Sequence, residues 1–469
     1  MDDPRDDIDA WLQERVTPLL PRPGTFEQVR KRARRRKLTQ AAIAAGGAAV
    51  IVAVAATVPS LVTTQLRPSN AQGPVHSQSA TPTAPAAASP TPAASLNGSA
   101  SPAATPPPAV PPNFAPTSIT FVSTGTGWVI GQAGTPGQCG PPNPDICTSL
   151  AGTDDGGATW HGIPAPVTGP PDGATGVSGV RSLDGTNGWA FGPQLYATHD
   201  GGQTWTRIAT HGLRVTDLET VNGVAFAVWA RCTGTGPDFA ARCTSFSLYA
   251  TPAGTNSWAP VPGVTGLGPD AGGGGTASPA SAQLVLTGSA GYLLAPSGGI
   301  YSGPVTAGAG WQPVTGAPGT GCGPPGPAQA DGLPASALLA ATGTGLVELC
   351  AAPAPGQPDG NELRYSADGG RTWVAAGPAP LTGAATSLSG TPAGQVVIAT
   401  TEGVAVSSNA AGAGSLRWRT VRGASAPGGF TYVGMTTSDQ GVAIPADTGL
   451  HAVWFTYDGG RHWQASAVR

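Results

Sequence analysis

THDGGQTW, residues 198–205, sets a threonine, an acid, a glycine pair, a second threonine and a tryptophan within eight positions. The pattern returns as TDDGGATW (153–160), SADGGRTW (366–373) and TYDGGRHW (456–463). Adjacent glycines supply the positive φ that a tight turn between antiparallel strands needs. An aspartate directly before them can accept hydrogen bonds from the turn's own N–H groups, and the flanking hydroxyls can close the same network. The tryptophan starts the next strand and buries a large flat surface. The simplest reading of the stretch is a structural staple. A calcium site is disfavoured, because one acid per turn falls short of the six to eight oxygens that ion takes.

The tryptophans set a long period. Trp160, Trp205, Trp258, Trp311, Trp373, Trp418 and Trp463 follow one another at steps of 45, 53, 53, 62, 45 and 45 residues. Four of these turns carry the full pattern. TPAGTNSW (251–258) keeps the frame with Ala253 in place of the acid, and the stretches before Trp311 and Trp418 are degenerate, the latter offering Asn409 instead. Each turn follows an apolar run entered through a glycine, such as GWVIG (127–131), GWAFG (188–192) and GVAFAVW (223–229). Alternating stretches such as SITFVS (118–123) lie upstream. Short apolar and alternating runs between glycine-rich turns read as strands. Seven units of four strands predict an all-β, seven-bladed β-propeller over 114–469.

The motif S/T-x-D-x-G-x-x-W resembles the Asp-box, or BNR, repeat of the sialidase-like superfamily. It is carried by Thr153, Asp155, Gly157 and Trp160; Thr198, Asp200, Gly202 and Trp205; Ser366, Asp368, Gly370 and Trp373; and Thr456, Asp458, Gly460 and Trp463. Such repeats occur in sialidases, sortilin-type receptors, some glucanases and photosystem II assembly/stability-factor-like propellers. The short units with a Gly-Trp strand look most like the last group. The resemblance implies a propeller whose boxes lie at outer turns, away from the central face, and an assembly or stabilising type of role.

The rest of the 469-residue chain is of a different kind. Residues 1–37 hold ten basic and seven acidic side chains, against 13 and 19 in the remainder. RKRARRRK (30–37) precedes an uncharged run, TQAAIAAGGAAVIVAVAATV (39–58). At about 1.5 Å per residue twenty residues span roughly 30 Å, the thickness of a bilayer core. We expect a transmembrane helix over 38–58, with the basic cluster of a 1–37 cytoplasmic segment inside and the C-terminal domain outside the plasma membrane. A cleaved signal peptide, a twin-arginine signal at Arg35-Arg36 and a buried Ala-rich helix are the alternatives. Residues 59–113 are rich in Pro, Ala, Ser and Thr and are expected to form a disordered, partly polyproline II stalk.

Six cysteines lie in the expected exterior, as Cys139/Cys147, Cys232/Cys243 and Cys322/Cys350. An even count in an oxidising compartment favours disulfides, and neighbours in sequence are the expected pairs. No cysteine or histidine spacing suggests zinc.

Charged residues make up only 10 % of the chain and the formal net charge is −3, which gives no footprint for nucleic acid. No H-E-x-x-H, nucleophile elbow or phosphate loop is present. Sialidase chemistry would need convergent arginines, a tyrosine beside a glutamate, and an acid, yet the first propeller strand carries no arginine. Asp217 and Glu219 are the local candidates for paired acids, read here as a solvated strand face. The chain is therefore expected to be a non-catalytic binding or scaffold module. Its partners would be the membrane and an extracytoplasmic protein or glycan, with no cofactor and no metal. A cell-surface exo-glycosidase of sialidase-like type is the alternative.

Overall fold

The computed structural model describes residues 107–469 except 135–137, 140–142, 144–145, 172, 234–242, 269–281, 316–337, 351–361, 380–384 and 421–425. The expected cytoplasmic segment, membrane helix and nearly all of the stalk lie outside the described residues. Among the described residues no helix is long and apolar enough to cross a membrane.

Seven four-stranded antiparallel sheets follow one another along the chain, each built from four consecutive strands. They form blades 1 to 7, at 115–163, 179–207, 214–260, 283–313, 338–378, 385–420 and 430–467. The all-β, seven-bladed reading therefore stands. The one named helix among the described residues is a 3₁₀ turn, Thr448–Leu450.

The glycine-entered apolar runs are the second strands. Gly127–Gln132, Gly188–Phe191, Val224–Cys232 and Val396–Thr400 are almost wholly buried, because both of their faces meet an adjacent blade. That explains their continuous apolar character. The first strands, such as Arg214–Val221 and Phe430–Met435, alternate instead. One side of each packs into the core, and the other faces the central channel. The fourth strands are short and exposed, as at Thr206–Arg207 and Ala259–Pro260.

The core is distributed between blades. Val397, Val404 and Val406 of blade 6 pack with Phe430, Val433 and Ala443 of blade 7. Phe226, Val228 and Leu248 of blade 3 pack with Leu284, Leu293 and Trp311 of blade 4. Each interface is a sandwich of two twisted sheets, so no blade could bury its faces alone.

Among the described residues the ring closes without strand exchange, since blade 7 takes its four strands from 430–467. Blade 1 supplies Phe114, Ile119, Val129 and Trp160 to the closing core, and blade 7 supplies Val442, Val453, Phe455 and Val468. Gln440 Nε2 donates to Thr124 O at 2.9 Å, and Ser466 Oγ donates to Gly157 O at 2.6 Å.

Candidate functional site

Each of the four full D-G-G turns joins the third and fourth strands of its blade. In the opening stretch, Gly202 N donates to Thr198 Oγ1 at 2.9 Å and Thr198 Oγ1 donates to Asp200 Oδ1 at 2.8 Å. The second threonine closes the ring, with Thr204 N to Asp200 Oδ1 at 2.9 Å and Thr204 Oγ1 to Oδ2 at 2.6 Å. Thr153, Asp155, Gly157 and Thr159 repeat these bonds, as do Ser366, Asp368, Gly370 and Thr372. In the last turn His462 replaces the threonine, and its Nδ1 lies 2.6 Å from Asp458 Oδ2. Thr456 and Gly460 keep their places there. Hydrogen bonds from Thr159, Thr204 and Thr372 lower Asp155, Asp200 and Asp368 to about 2. Asp458 also falls to about 2, where the bonds from His462 outweigh the opposing effect of burial. Trp160 and Trp463 are buried, Trp205 and Trp373 half-buried. These carboxylates are saturated by their own turns and have little left to offer a ligand.

Antiparallel connectivity sorts every loop onto one of two faces. First-to-second and third-to-fourth turns open on one face, and all other connections open on the opposite face. On the turn face the longest link is the ten residues between Ser407 and Trp418. On the connection face the links after Pro260 and Pro313 are 22 and 24 residues long, and those after Gln132 and Cys350 are 16 and 11. Both described disulfides are there. Cys139–Cys147 closes part of the link after Gln132, and Cys232–Cys243 pins the ends of two strands of blade 3. These two pairs are as expected. Cys350 is also disulfide-bonded, while Cys322 lies outside the described residues.

A channel of about 540 Å³ runs among the first strands of blades 2 to 7. Asp217 and Glu219 share one side of their strand, and that side lines this channel, where both are half-buried and bonded to the neighbouring blades. Arg181 Nε of blade 2 donates to Glu219 Oε1 at 2.8 Å, and Arg181 Nη1 donates to Ser118 Oγ of blade 1 at 3.2 Å. The Arg181 guanidinium also lies 5.9 Å from the ring centroid of Tyr432 in blade 7. Burial opposes the charge of Arg181, but Glu219, Tyr432 and Asp217 together outweigh it and raise its pKa. Asp217 Oδ1 accepts from Leu218 N and Oδ2 from Leu284 N of blade 4, both at 2.8 Å. Burial first, and the neighbouring Glu219 second, push Asp217 up to about 7.

Asp217 belongs to a recurring device. Ser118 Oγ accepts from Val180 N of the next blade at 3.2 Å. Gln283 grips Leu339 by both ends, donating from Nε2 to O at 3.0 Å and accepting from N at 2.8 Å. Ser387 Oγ does the same to Val433, accepting from N at 3.2 Å and donating to O at 3.3 Å. In each case a polar residue sits directly before a buried aliphatic and clasps the equivalent aliphatic of the following blade. Sequence reasoning missed this set. The signal was present as Ser118-Ile119, Asp217-Leu218, Gln283-Leu284 and Ser387-Leu388, but it emerges only once the units are aligned by strand.

Among the described residues no group of three or more His, Cys, Asp or Glu side chains is placed to hold a metal ion.

No protein-family model and no curated protein matches the chain. Solved structures do. YCF48 bound to D1 peptide is similar at 17 % identity over 61 % of this chain and 79 % of that chain, with a TM-score of 0.39. YCF48 from Cyanidioschyzon merolae is similar at 13 % identity over 60 % and 81 %, with a TM-score of 0.39. The Niastella koreensis GH74 enzyme is similar at 10 % identity over 75 % and 66 %, with a TM-score of 0.26. At these identities the likeness concerns the fold alone. The chain is a seven-bladed β-propeller.

Proposed function

We propose that this propeller is a non-catalytic binding module whose partner docks on the connection face. The observation that carries the reading is the asymmetry between the faces. One is built of short turns whose carboxylates are spent on their own backbone. The other gathers every long connection and both described disulfides. Loops held at their bases by a rigid ring are a general way to present recognition surfaces. The disulfides suit an oxidising compartment. With the apolar run 38–58 as a membrane anchor, the face would be displayed outside the cytoplasm to a protein or a cell-surface glycan. The four D-G-G turns fit the Asp-box repeat in this scheme, as structural staples remote from the docking face.

The channel acids favour binding over hydrolysis. Glycoside hydrolysis asks for two carboxylates on opposite sides of a scissile bond, about 5–9.5 Å apart, each free to act. Asp217 and Glu219 stand two positions apart on one strand, clasped by Leu284 N and Arg181.

The test is cross-linking in cells of the tagged full chain, beside a version lacking 114–469, with mass spectrometry of what is captured. A partner enriched only with the propeller, and lost when the links after Pro260 and Pro313 are shortened, supports the reading. Capture unaffected by shortening those links overturns the docking face. Turnover of a sialoside or another glycoside by the full chain, abolished by Glu219→Gln, overturns the non-catalytic reading in favour of the sialidase-like alternative.

A further inference from the structure

Between the outer strand of blade 2 and the flank of blade 3 lies a cleft of about 570 Å³, a size common among small-molecule sites. Its floor is aromatic. Trp229 is buried, and Tyr249 stacks on it with ring centroids 4.1 Å apart. Trp258 lies 5.9 Å from Trp229. Tyr249 and Trp258 are half-buried, so both keep part of their ring surface open to the cleft they line.

The rim carries unused hydrogen-bonding groups and no carboxylate. The turn that holds Trp258 explains the first of them. Ser257 stands where Thr204 stands in the stapled turn of blade 2, and Ala253 stands where Asp200 does. Thr204 Oγ1 donates to Asp200 Oδ2 at 2.6 Å. Ser257 lacks that carboxylate, and among the described residues its hydroxyl has no partner. The same holds for the Tyr249 hydroxyl and the His211 ring. Asn256 Oδ1 lies 3.2 Å from His199 Nε2, which leaves the Nδ2 donors over. The Arg207 guanidinium is already engaged, with Nε and Nη2 donating to Gln194 Oε1 at 3.1 and 2.7 Å.

These two features together specify the ligand's chemistry. Hydroxyl, amide and imidazole groups donate and accept without demanding a charge. Aromatic faces carry partial negative charge and attract polarised C–H groups. A pyranose ring answers both, with an apolar C–H face and a rim of hydroxyls. A purely apolar ligand would strip water from Ser257, Asn256 and His211 and return no hydrogen bond to them.

We propose that this cleft binds a neutral oligosaccharide, with a pyranose ring laid against Trp258 and Tyr249 and its hydroxyls shared with Ser257, Asn256 and His211. The buried Trp229 backs the two open rings and holds them in place. None of the lining residues belongs to the long links after Pro260 and Pro313, so the site fills independently of the docking face proposed above.

The test is saturation-transfer NMR on the full chain in a sugar-free detergent, with maltotriose, cellotriose and chitotriose as probes. At least one of them should show transfer to its ring C–H protons at millimolar concentration. Trp258→Ala should weaken that binding about tenfold, as the loss of one stacked ring implies. Ser257→Ala removes an exposed hydroxyl and should weaken the same sugar several-fold; it decides the matter if Trp258→Ala unfolds. Absence of transfer to all three sugars overturns the proposal. Binding unchanged by both substitutions places the sugar elsewhere and overturns it too. Tighter binding of benzoate, lost in Arg207→Gln, overturns it in favour of an anion site. Shortening the link after Pro313 should leave sugar binding intact, so this site and the docking face fail separately.

Discussion

Tyr457 Oη of blade 7 donates to the carbonyl of Gly156 in blade 1 at 2.9 Å, joining residues 301 apart in sequence. The bond crosses the seam where the ring closes. It matters because, among the described residues, no shared strand holds blades 1 and 7 together. The seam relies on side chains: Tyr457, Gln440, Ser466 and the rings of Phe121 and Phe455, whose centroids lie 5.8 Å apart edge to face. Tyr457→Phe should cost about 0.5–1.5 kcal/mol, the net worth of one hydrogen bond. Urea unfolding of the full chain checks this. A change below about 0.3 kcal/mol would mean the seam does not use the bond.

Gly157 should be far less forgiving. Its φ is +93°, and a Cβ there would lie 2.3 Å from Cζ of Phe455. Gly254, in the turn without a staple, has φ +70° and open space around a Cβ. Gly254→Ala should cost about 1–2 kcal/mol for backbone strain alone. Gly157→Ala adds overpacking against Phe455 and should cost about 1–3 kcal/mol more. Equal costs would show that Phe455 yields freely.

The staples set an acid limit. Asp155, Asp200, Asp368 and Asp458 are all lowered to about 2 in the folded chain. An unfolded aspartate titrates near 3.9. Their contribution is therefore complete above about pH 4 and is lost as pH falls from there towards 2. Asp200→Asn should lower stability at pH 7 and flatten its fall between pH 4 and 2. Circular dichroism against pH for the two proteins checks it.

Asp217 acts in the opposite direction. Its pKa is raised to about 7, so the folded state holds a proton that the unfolded state releases near pH 4. Stability linked to this group should fall as pH climbs from about 4 to 7 and then level. Asp217→Asn keeps an acceptor for Leu284 N and cannot ionise. Relative to the parent, the variant should gain stability between pH 5 and pH 8. A constant difference across that range would show that Asp217 is ionised throughout.

Arg181 pairs with Glu219, and its charge also reaches Asp217. Arg181→Met would leave Glu219 and Asp217 facing each other on the channel wall. Losing one partner of a fully buried pair costs about 3–5 kcal/mol, and partial exposure of Glu219 argues for about half of that. The double change Arg181→Met with Glu219→Leu should recover most of the loss. Failure of that rescue would place the role of Arg181 in its contacts with Ser118 and Tyr432.

Much of this architecture was legible in the residues. THDGGQTW and its three counterparts mark third-to-fourth strand turns because positive φ, a backbone-accepting carboxylate and a closing hydroxyl are local needs, met within eight residues. GWVIG and GWAFG read as buried strands because a strand covered on both faces has no polar side. Cys139 with Cys147, and Cys232 with Cys243, pair across links short enough to see in sequence. For Asp217 and Glu219, alternation on the strand says that they share a side, but it does not name what they bond. Those partners are Leu284 N for Asp217, 67 residues later, and Arg181 for Glu219, 38 residues earlier.

The sequence by itself determined the number of blades, the strand order within each and the turns that hold them, since each depends on contacts within a unit of about fifty residues. Only the tertiary structure decided which side chains clasp the next blade, and how blade 7 meets blade 1 without a strand shared among the described residues. Those relations arise from closing a ring. Closure brings together residues as distant as Gly156 and Tyr457, and no local pattern records that meeting.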